Sequence, residues 1–135
     1  MKKLNSILLI DDDMATNFIS KMLIKKAAIT DNIVFAFNGR QGLDYLTNSG
    51  EYQSEDRTFP VPMLILLDIN MPLMSGFEVL DEINKKGIKM KIIAQTAFAM
   101  PEERQKCLNS GCQGYVSKPI RKDDLFKEIN NVLAL

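Results

Sequence analysis

Six side chains in this sequence could do chemistry as a group: Asp11, Asp12 and Asp13 in one run, Asp68 in LILLDINMP, Thr96 in IIAQTAF and Lys118 in GYVSKP. Each stands at the end of a short apolar run. The chain contains no histidine. That removes the commonest general base, the usual catalytic zinc site, the Ser-His-Asp arrangement and any phosphohistidine carrier role. What remains is carboxylate, lysine and hydroxyl chemistry, with a hard metal if one binds.

Several carboxylates brought together repel, and each is driven toward its neutral form unless a cation sits among them. No arginine stands in these motifs. A hard divalent ion with oxygen ligands fits, and Mg²⁺, which keeps several waters and takes one or two carboxylates, fits best. Lys118 offers a compact positive charge and Thr96 one hydroxyl donor, a set that would neutralise and orient a phosphoryl group beside the metal. Asp68 is then the natural acceptor, forming an acyl phosphate by nucleophilic attack. Acidic residues after a strand also serve as helix caps, and Asp13 is expected to be one.

The elements that must position these groups alternate along the chain. Solid apolar runs at Ile7 to Ile10, Ile33 to Phe37, Met63 to Leu67, Lys91 to Ala94 and Gly114 to Val116 read as strands covered on both faces. Between them lie helical patterns. Met14, Phe18 and Met22 with Ala15, Ile19 and Leu23 form one apolar stripe, closed by Lys25 and Lys26. Asn38 with Gln41, and Ser75 with Glu78, have capping spacing for a second and a third helix. Leu43 and Leu46 point inward on the second; Phe77, Leu80 and Ile83 do so on the third, with Gly87 as its stop. A fourth helix runs from near Pro101 to Gly111, burying Cys107 and Leu108. The last shows Leu125, Phe126, Ile129, Val132 and Leu133 on one face.

Five strands alternating with five helices predict one α/β domain of βα repeats, with ligands beyond the carboxyl ends of the strands. The 135 residues suffice for one core and not for two ordinary domains. With 46% hydrophobic and 25% charged residues the composition is that of an ordinary globular chain. Seventeen basic residues balance seventeen acidic ones, which argues against nucleic-acid binding through a net positive field. No run reaches the length of a membrane span, and the basic start leads into only four apolar residues, so neither a membrane segment nor a signal peptide is expected. Cys107 and Cys112, five apart, match neither a redox pair nor a zinc knuckle; they read as small buried hydrophobes in a reducing, cytoplasmic setting.

The stretches ILLIDDD, LLDINMPLMSGFEVL, IIAQTAFAM and GCQGYVSKPI, in this order, resemble the motifs of the bacterial response-regulator receiver domain (CheY-like), and the likeness covers essentially the whole chain. The resemblance implies a doubly wound (βα)5 fold with a parallel sheet of order 2-1-3-4-5 and helices on both faces. It implies that Asp68 is phosphorylated and that Asp12, Asp68 and the backbone carbonyl of Asn70 ligate Mg²⁺, with Asp11 acting through water. Lys118 would pair with the phosphoryl oxygens beside a cis bond to Pro119. Thr96 and Tyr115 would move together as the switch. The donor would be a histidine kinase or a histidine phosphotransfer protein, and a target protein would dock on the side of helix four, strand five and helix five. The chain ends with its fifth helix, so residues 1–135 are expected to be a receiver without an output domain, a relay or an adaptor.

Other readings stand beside these. A haloacid-dehalogenase-type phosphatase also uses an aspartate after a strand, but needs a second aspartate where this chain has Asn70. A receiver-like scaffold that is never phosphorylated is a third class, against which the complete acidic, hydroxyl and lysine set argues. Ser75 stands where the family often has aspartate, and Gln95 where it is more often apolar. Phe98 lies where the family tunes access to the phosphoryl group, so its bulk is expected to slow attacking water. The methionines are expected mostly on core faces. Glu102, Glu103, Arg104 and Lys106 read either as a solvated helix face or as part of the partner surface. Residues 48–62, long for a connection, read as an extension of the second helix with a solvated loop, or as a partner contact at the amino end of the sheet.

Overall fold

The computed structural model describes residues 4–52 and 61–133. The chain runs β1 (Ile7–Ile10), α1 (Met14–Lys26), β2 (Ile33–Ala36), α2 (Gly39–Leu46), a 3-10 turn (Gly50–Tyr52), β3 (Leu64–Asp68), α3 (Gly76–Lys85), β4 (Ile92–Thr96), α4 (Pro101–Asn109), β5 (Gly114–Ser117) and α5 (Lys122–Leu133). The strands form one parallel sheet of order β2-β1-β3-β4-β5, the expected doubly wound arrangement. Two strand ends fall where the sequence placed them and bear on function. β3 and β4 extend through Asp68 and Thr96, so both residues belong to the ladder; Asp68 pairs in register with Gln95 and Thr96 with Ser117.

Side chains alternate across a strand, so each central strand feeds two cores. Leu8, Ile10, Ile65, Leu67, Ile92, Ala94 and Tyr115 face one side, against Leu43 of α2, Leu80 and Ile83 of α3 and Cys107 of α4. Ile7, Leu9, Leu64, Leu66, Ile93 and Val116 face the other, against Ile24 of α1 and Leu125, Ile129 and Val132 of α5. Each leucine, isoleucine or valine among them, fully buried, contributes about 1.5–3 kcal/mol. The edge strand β2 is only half-buried over Ile33 to Phe35, so double coverage holds for the central strands and not for this one.

Local chemistry starts the helices where the spacing predicts. Asp13 Oδ1 accepts from the Ala15 N–H at 3.0 Å, and Asp13 Oδ2 from the Thr16 hydroxyl at 2.8 Å. Asn38 accepts from Gln41 N–H at 2.8 Å, while the Gln41 side chain reaches back to the Phe37 N–H, also at 2.8 Å. Ser75 accepts from the Glu78 N–H at 3.3 Å, so serine keeps the capping task here. Gly87 follows α3 with φ +68, the left-handed geometry of a helix stop.

The rotation of α1 differs from expectation. Its buried residues are Asn17, Ser20 and Ile24, whereas Met14 is 71% and Phe18 64% exposed, with Ile19 and Met22 also outside. The Asp13 cap and a buried hydrogen bond from Asn17 Nδ2 to the Asp11 carbonyl oxygen, 3.0 Å, set this rotation. The small Ser20 then faces the sheet. Exposure of Met14, Met22, Met63 and Met100 also corrects the placing of most methionines in the core; among the described ones only Met71 is buried. Leu108 is exposed rather than buried, because α4 presents Cys107 inward. Cys107 and Cys112 are free and buried, and burial lifts their thiols to about 11 and about 12. They are packing residues, as expected.

α2 does not continue through the long connection. It closes at Leu46, and after Asn48 (φ +54) the 3-10 turn brings Tyr52 edge-on to Tyr45 at 5.2 Å between ring centroids. Residues 53–60 of that connection lie outside the described residues. Among the described residues no helix is long and apolar enough to cross a membrane.

Candidate functional site

The strand order places β1 between β2 and β3, so the carboxyl ends of β1, β3 and β4 lie side by side. Asp11 leaves β1, Asp68 closes β3, Thr96 closes β4, and Lys118 follows β5. Asp11 and Asp68 are each 1% exposed, while Asp12 is open to solvent. Asp11, Asp12 and Asp68 each offer a carboxylate oxygen, all within 4.8 Å of one another. The sequence therefore located a real cluster. Asp13 stands outside it, turned to its capping task.

Lys118 reaches back over the sheet to this cluster. Its ammonium lies 2.9 Å from Asp11 Oδ2 and 3.3 Å from Asp68 Oδ2. The Lys118 N–H donates to the Thr96 carbonyl oxygen at 2.7 Å, and the Lys118–Pro119 bond is cis, as the resemblance implied. Burial works against the ammonium, but its pairs with Asp11 and Asp68 outweigh that and raise the Lys118 pKa. Burial, then the Asp11 charge, hold the Asp68 carboxyl above the ordinary carboxylate range, against the pull of the Asn70 N–H and Lys118. Partial burial and the hydrogen bond and charge of Asp68 raise Asp12 likewise. One lysine thus leaves the carboxylates under-neutralised, the condition a divalent cation with hard oxygen ligands relieves.

Thr96 is buried and doubly tied. Its hydroxyl donates to Asn70 Oδ1 at 3.0 Å and accepts from the Phe98 N–H at 3.0 Å. Asn70 Oδ1 also accepts from the Ala97 N–H, so one side-chain amide holds both the end of β4 and the loop after it. Sequence reasoning gave Asn70 only a backbone task; the signal it missed was a polar side chain two residues past the carboxylate, facing the neighbouring strand end. Phe98 itself is 63% exposed at the rim. Gln95 is buried on the α1–α5 side of the sheet, and nothing in the structure explains a glutamine there.

Tyr115 is buried beside this group, its hydroxyl donating to Glu103 Oε1 at 3.0 Å. Arg104 lies over the Tyr115 ring and Lys106 over the Phe77 ring, at 5.6 and 4.0 Å to the centroids. The charged run of α4 is therefore not a plain solvated face: Arg104 and Lys106 lie over aromatic rings, and Glu103 accepts from the Tyr115 hydroxyl. The hydrogen bond of Glu103 to Tyr115 is the contact that charge patterning alone did not separate from its neighbours.

Comparison with known proteins accords with this geometry. Residues 7–130 match the family model described as the response regulator receiver domain. The chain is 33% identical over 129 residues to the nitrate/nitrite response regulator protein NarL of Escherichia coli, covering 96% of this chain and 55% of NarL. It is 33% identical over 132 residues to hybrid signal transduction histidine kinase I of Dictyostelium discoideum, covering 95% of this chain and 7% of that protein. It thus spans about half of the first relative and a small part of the second. A two-component response regulator from Cytophaga hutchinsonii has a similar structure, with TM-score 0.81 and 27% identity over 99% of this chain and all of the other.

Proposed function

The chain belongs to the response regulator receiver family of two-component signalling, and from that premise we propose that it is a phosphorylation-driven switch with Asp68 as phosphoacceptor. A carboxylate oxygen of Asp68 attacks the phosphorus of a phosphohistidine on a histidine kinase or histidine phosphotransfer protein. The P–N bond breaks as the P–O bond forms, and the imidazole leaves with the electron pair and takes a proton from water. Lys118 neutralises the phosphoryl oxygens and Thr96 donates a hydrogen bond to them. Asp12, Asp68 and the Asn70 carbonyl, with Asp11 beside them, would hold Mg²⁺, which would supply further charge neutralisation.

The observation that carries this reading is the Lys118 ammonium shared between Asp11 and Asp68 inside a three-carboxylate cluster. Once Thr96 turns to the phosphoryl group, its bond to Asn70 is given up and Tyr115 lies inward behind it. New charge-assisted bonds thereby bias α4, β5 and α5. Output passes through a target protein on that side, where Met100, Arg104, Tyr115, Asp124 and Lys127 line a groove, or by handing the phosphoryl group on.

Incubation with Mg²⁺ and acetyl phosphate, read by intact mass beside an Asp68→Asn control, tests it. Gain of one phosphoryl group dependent on both the ion and Asp68 supports the switch. No adduct, together with no binding of beryllofluoride, refutes it.

A further inference from the structure

The moving parts assigned above are Thr96 and Tyr115, and what holds Tyr115 has a specific answer in this chain. Tyr115 pairs in register with Ala94, so its side chain lies on the same face as Thr96, two residues further along β4. The ring is 7% exposed. Its hydroxyl donates to Glu103 Oε1 at 3.0 Å, with the Phe98 carbonyl oxygen at a looser 3.5 Å. The next residue of α4, Arg104, sets its guanidinium 5.6 Å from the ring centroid. Two consecutive residues of one helix thus grip the hydroxyl and the face of the ring. Glu103 is half-buried, unlike the exposed Glu102 and Arg104 on either side. Burial, then Glu103, lift the phenol to about 12, so it stays a donor throughout the neutral range.

We propose that Glu103 is a positioning residue that fixes Tyr115 in its inward orientation and so sets how favourably the domain takes up a phosphoryl group. This rests on the reading of Asp68 as phosphoacceptor. A ring already tethered behind Thr96 has little rotamer freedom left to lose when Thr96 turns to the phosphoryl oxygens, so uptake is preorganised. A free ring must be ordered at that moment, and the cost appears as weaker binding of a phosphoryl mimic. Because the tether starts from α4, the ring and the helix move as one unit.

The test is beryllofluoride binding in Mg²⁺, by calorimetry, for wild type, Glu103→Gln, Glu103→Ala, Tyr115→Phe and the Glu103→Ala/Tyr115→Phe pair. Glu103→Ala is expected to weaken affinity about three- to tenfold, the range the net contribution of one ordinary hydrogen bond gives. Tyr115→Phe should lose as much, since it removes the donor and keeps the ring. Glu103→Gln keeps an acceptor oxygen and should stay within about twofold of wild type. In the Tyr115→Phe background Glu103→Ala should cost nothing more, a non-additivity that a mere effect on α4 stability does not produce. Unchanged affinity in Glu103→Ala, or the same loss in both backgrounds, overturns the tether alone. A wild type that binds no beryllofluoride overturns the phosphoacceptor reading, and the tether with it.

Discussion

The ammonium of Lys118, just past the last strand, stands 2.9 Å from a carboxylate oxygen of Asp11, just past the first. The pair crosses over the ends of β4 and β3 to join β5 with β1. It also gives Asp11 Oδ2, which is buried and otherwise unpartnered, its one counter-charge among the described residues.

Lys118→Ala therefore leaves Asp11 and Asp68 buried without a cation and should cost about 3 kcal/mol at pH 7 without divalent ions. Asp12 and Asp68 already have raised pKa values, and removing Lys118 raises them further. For a raised carboxyl, stability is fully present below the ordinary value of 3.8 and is lost as pH rises through the folded-state value. The deficit should accordingly fade toward acid. Urea denaturation at pH 7 and pH 4 checks this, and an equal deficit at both pH values would count against it.

Asp68→Asn removes one of the repelling charges while keeping the shape. Without metal at pH 7 the variant should be about 1–2 kcal/mol more stable than wild type, a functional charge being retained at the expense of stability. Magnesium at ten times its dissociation constant should stabilise wild type by about 1.4 kcal/mol and the variant by less. Thermal melts with chelator and with Mg²⁺ measure both effects; a metal response undiminished in Asp68→Asn would remove Asp68 from the ligand set.

Gly76, at the start of α3, has no room for a side chain. A Cβ there would lie 2.6 Å from the Asp68 carbonyl oxygen and 2.7 Å from Ile69 Cα, both backbone atoms. Gly76→Ala should destabilise by about 2–3 kcal/mol. It should also slow phosphorylation about tenfold by displacing Asp68. Urea melts and the rate of mass gain with acetyl phosphate report the two effects separately.

Leu73 sits at φ +66 with its side chain wholly exposed, inside a tight turn closed by Met74 N–H donating to the Pro72 carbonyl oxygen at 2.7 Å. A left-handed leucine is strained and here packs against nothing in return. Leu73→Asn should raise stability by about 0.5–1 kcal/mol, asparagine tolerating this geometry. A lower melting temperature for the variant would refute the strain.

Phe98 stands at the rim with its N–H bound to the Thr96 hydroxyl, so its ring flanks the site without filling it. Phe98→Ala should speed loss of the phosphoryl group about threefold by admitting water. The decay of the intact-mass adduct measures this, and a variant that decays no faster than wild type removes Phe98 from that role.

The sheet, its order and the acidic cluster were legible because each rests on a strong local signal. Solid apolar runs mark β1, β3 and β4, and the chemical residues sit at their ends. The caps Asp13, Asn38 and Ser75 were legible for the same reason, since capping is decided within four residues. The face of α1 was not. Its apolar stripe predicts burial of Met14 and Phe18, yet a single long-reaching side chain, Asn17 on the Asp11 carbonyl, decides which way the helix turns. The hold of Asn70 on Thr96 and of Glu103 on Tyr115 was hidden likewise, because each joins residues 26 or 12 positions apart through contacts that periodicity does not encode.

The single sheet that separates the two cores also acts as a partition for sequence drift. Thr96, Tyr115 and Glu103 share the α2–α3–α4 side, while the exposed Met14 and Phe18 ridge belongs to the helix on the opposite side. The sheet stands between the outer face of α1 and the Tyr115 side, whereas α4 and α5 meet around the β5 edge. A lineage could thus rewrite the outer face of α1 over many generations while the poise of the tyrosine tether is inherited intact.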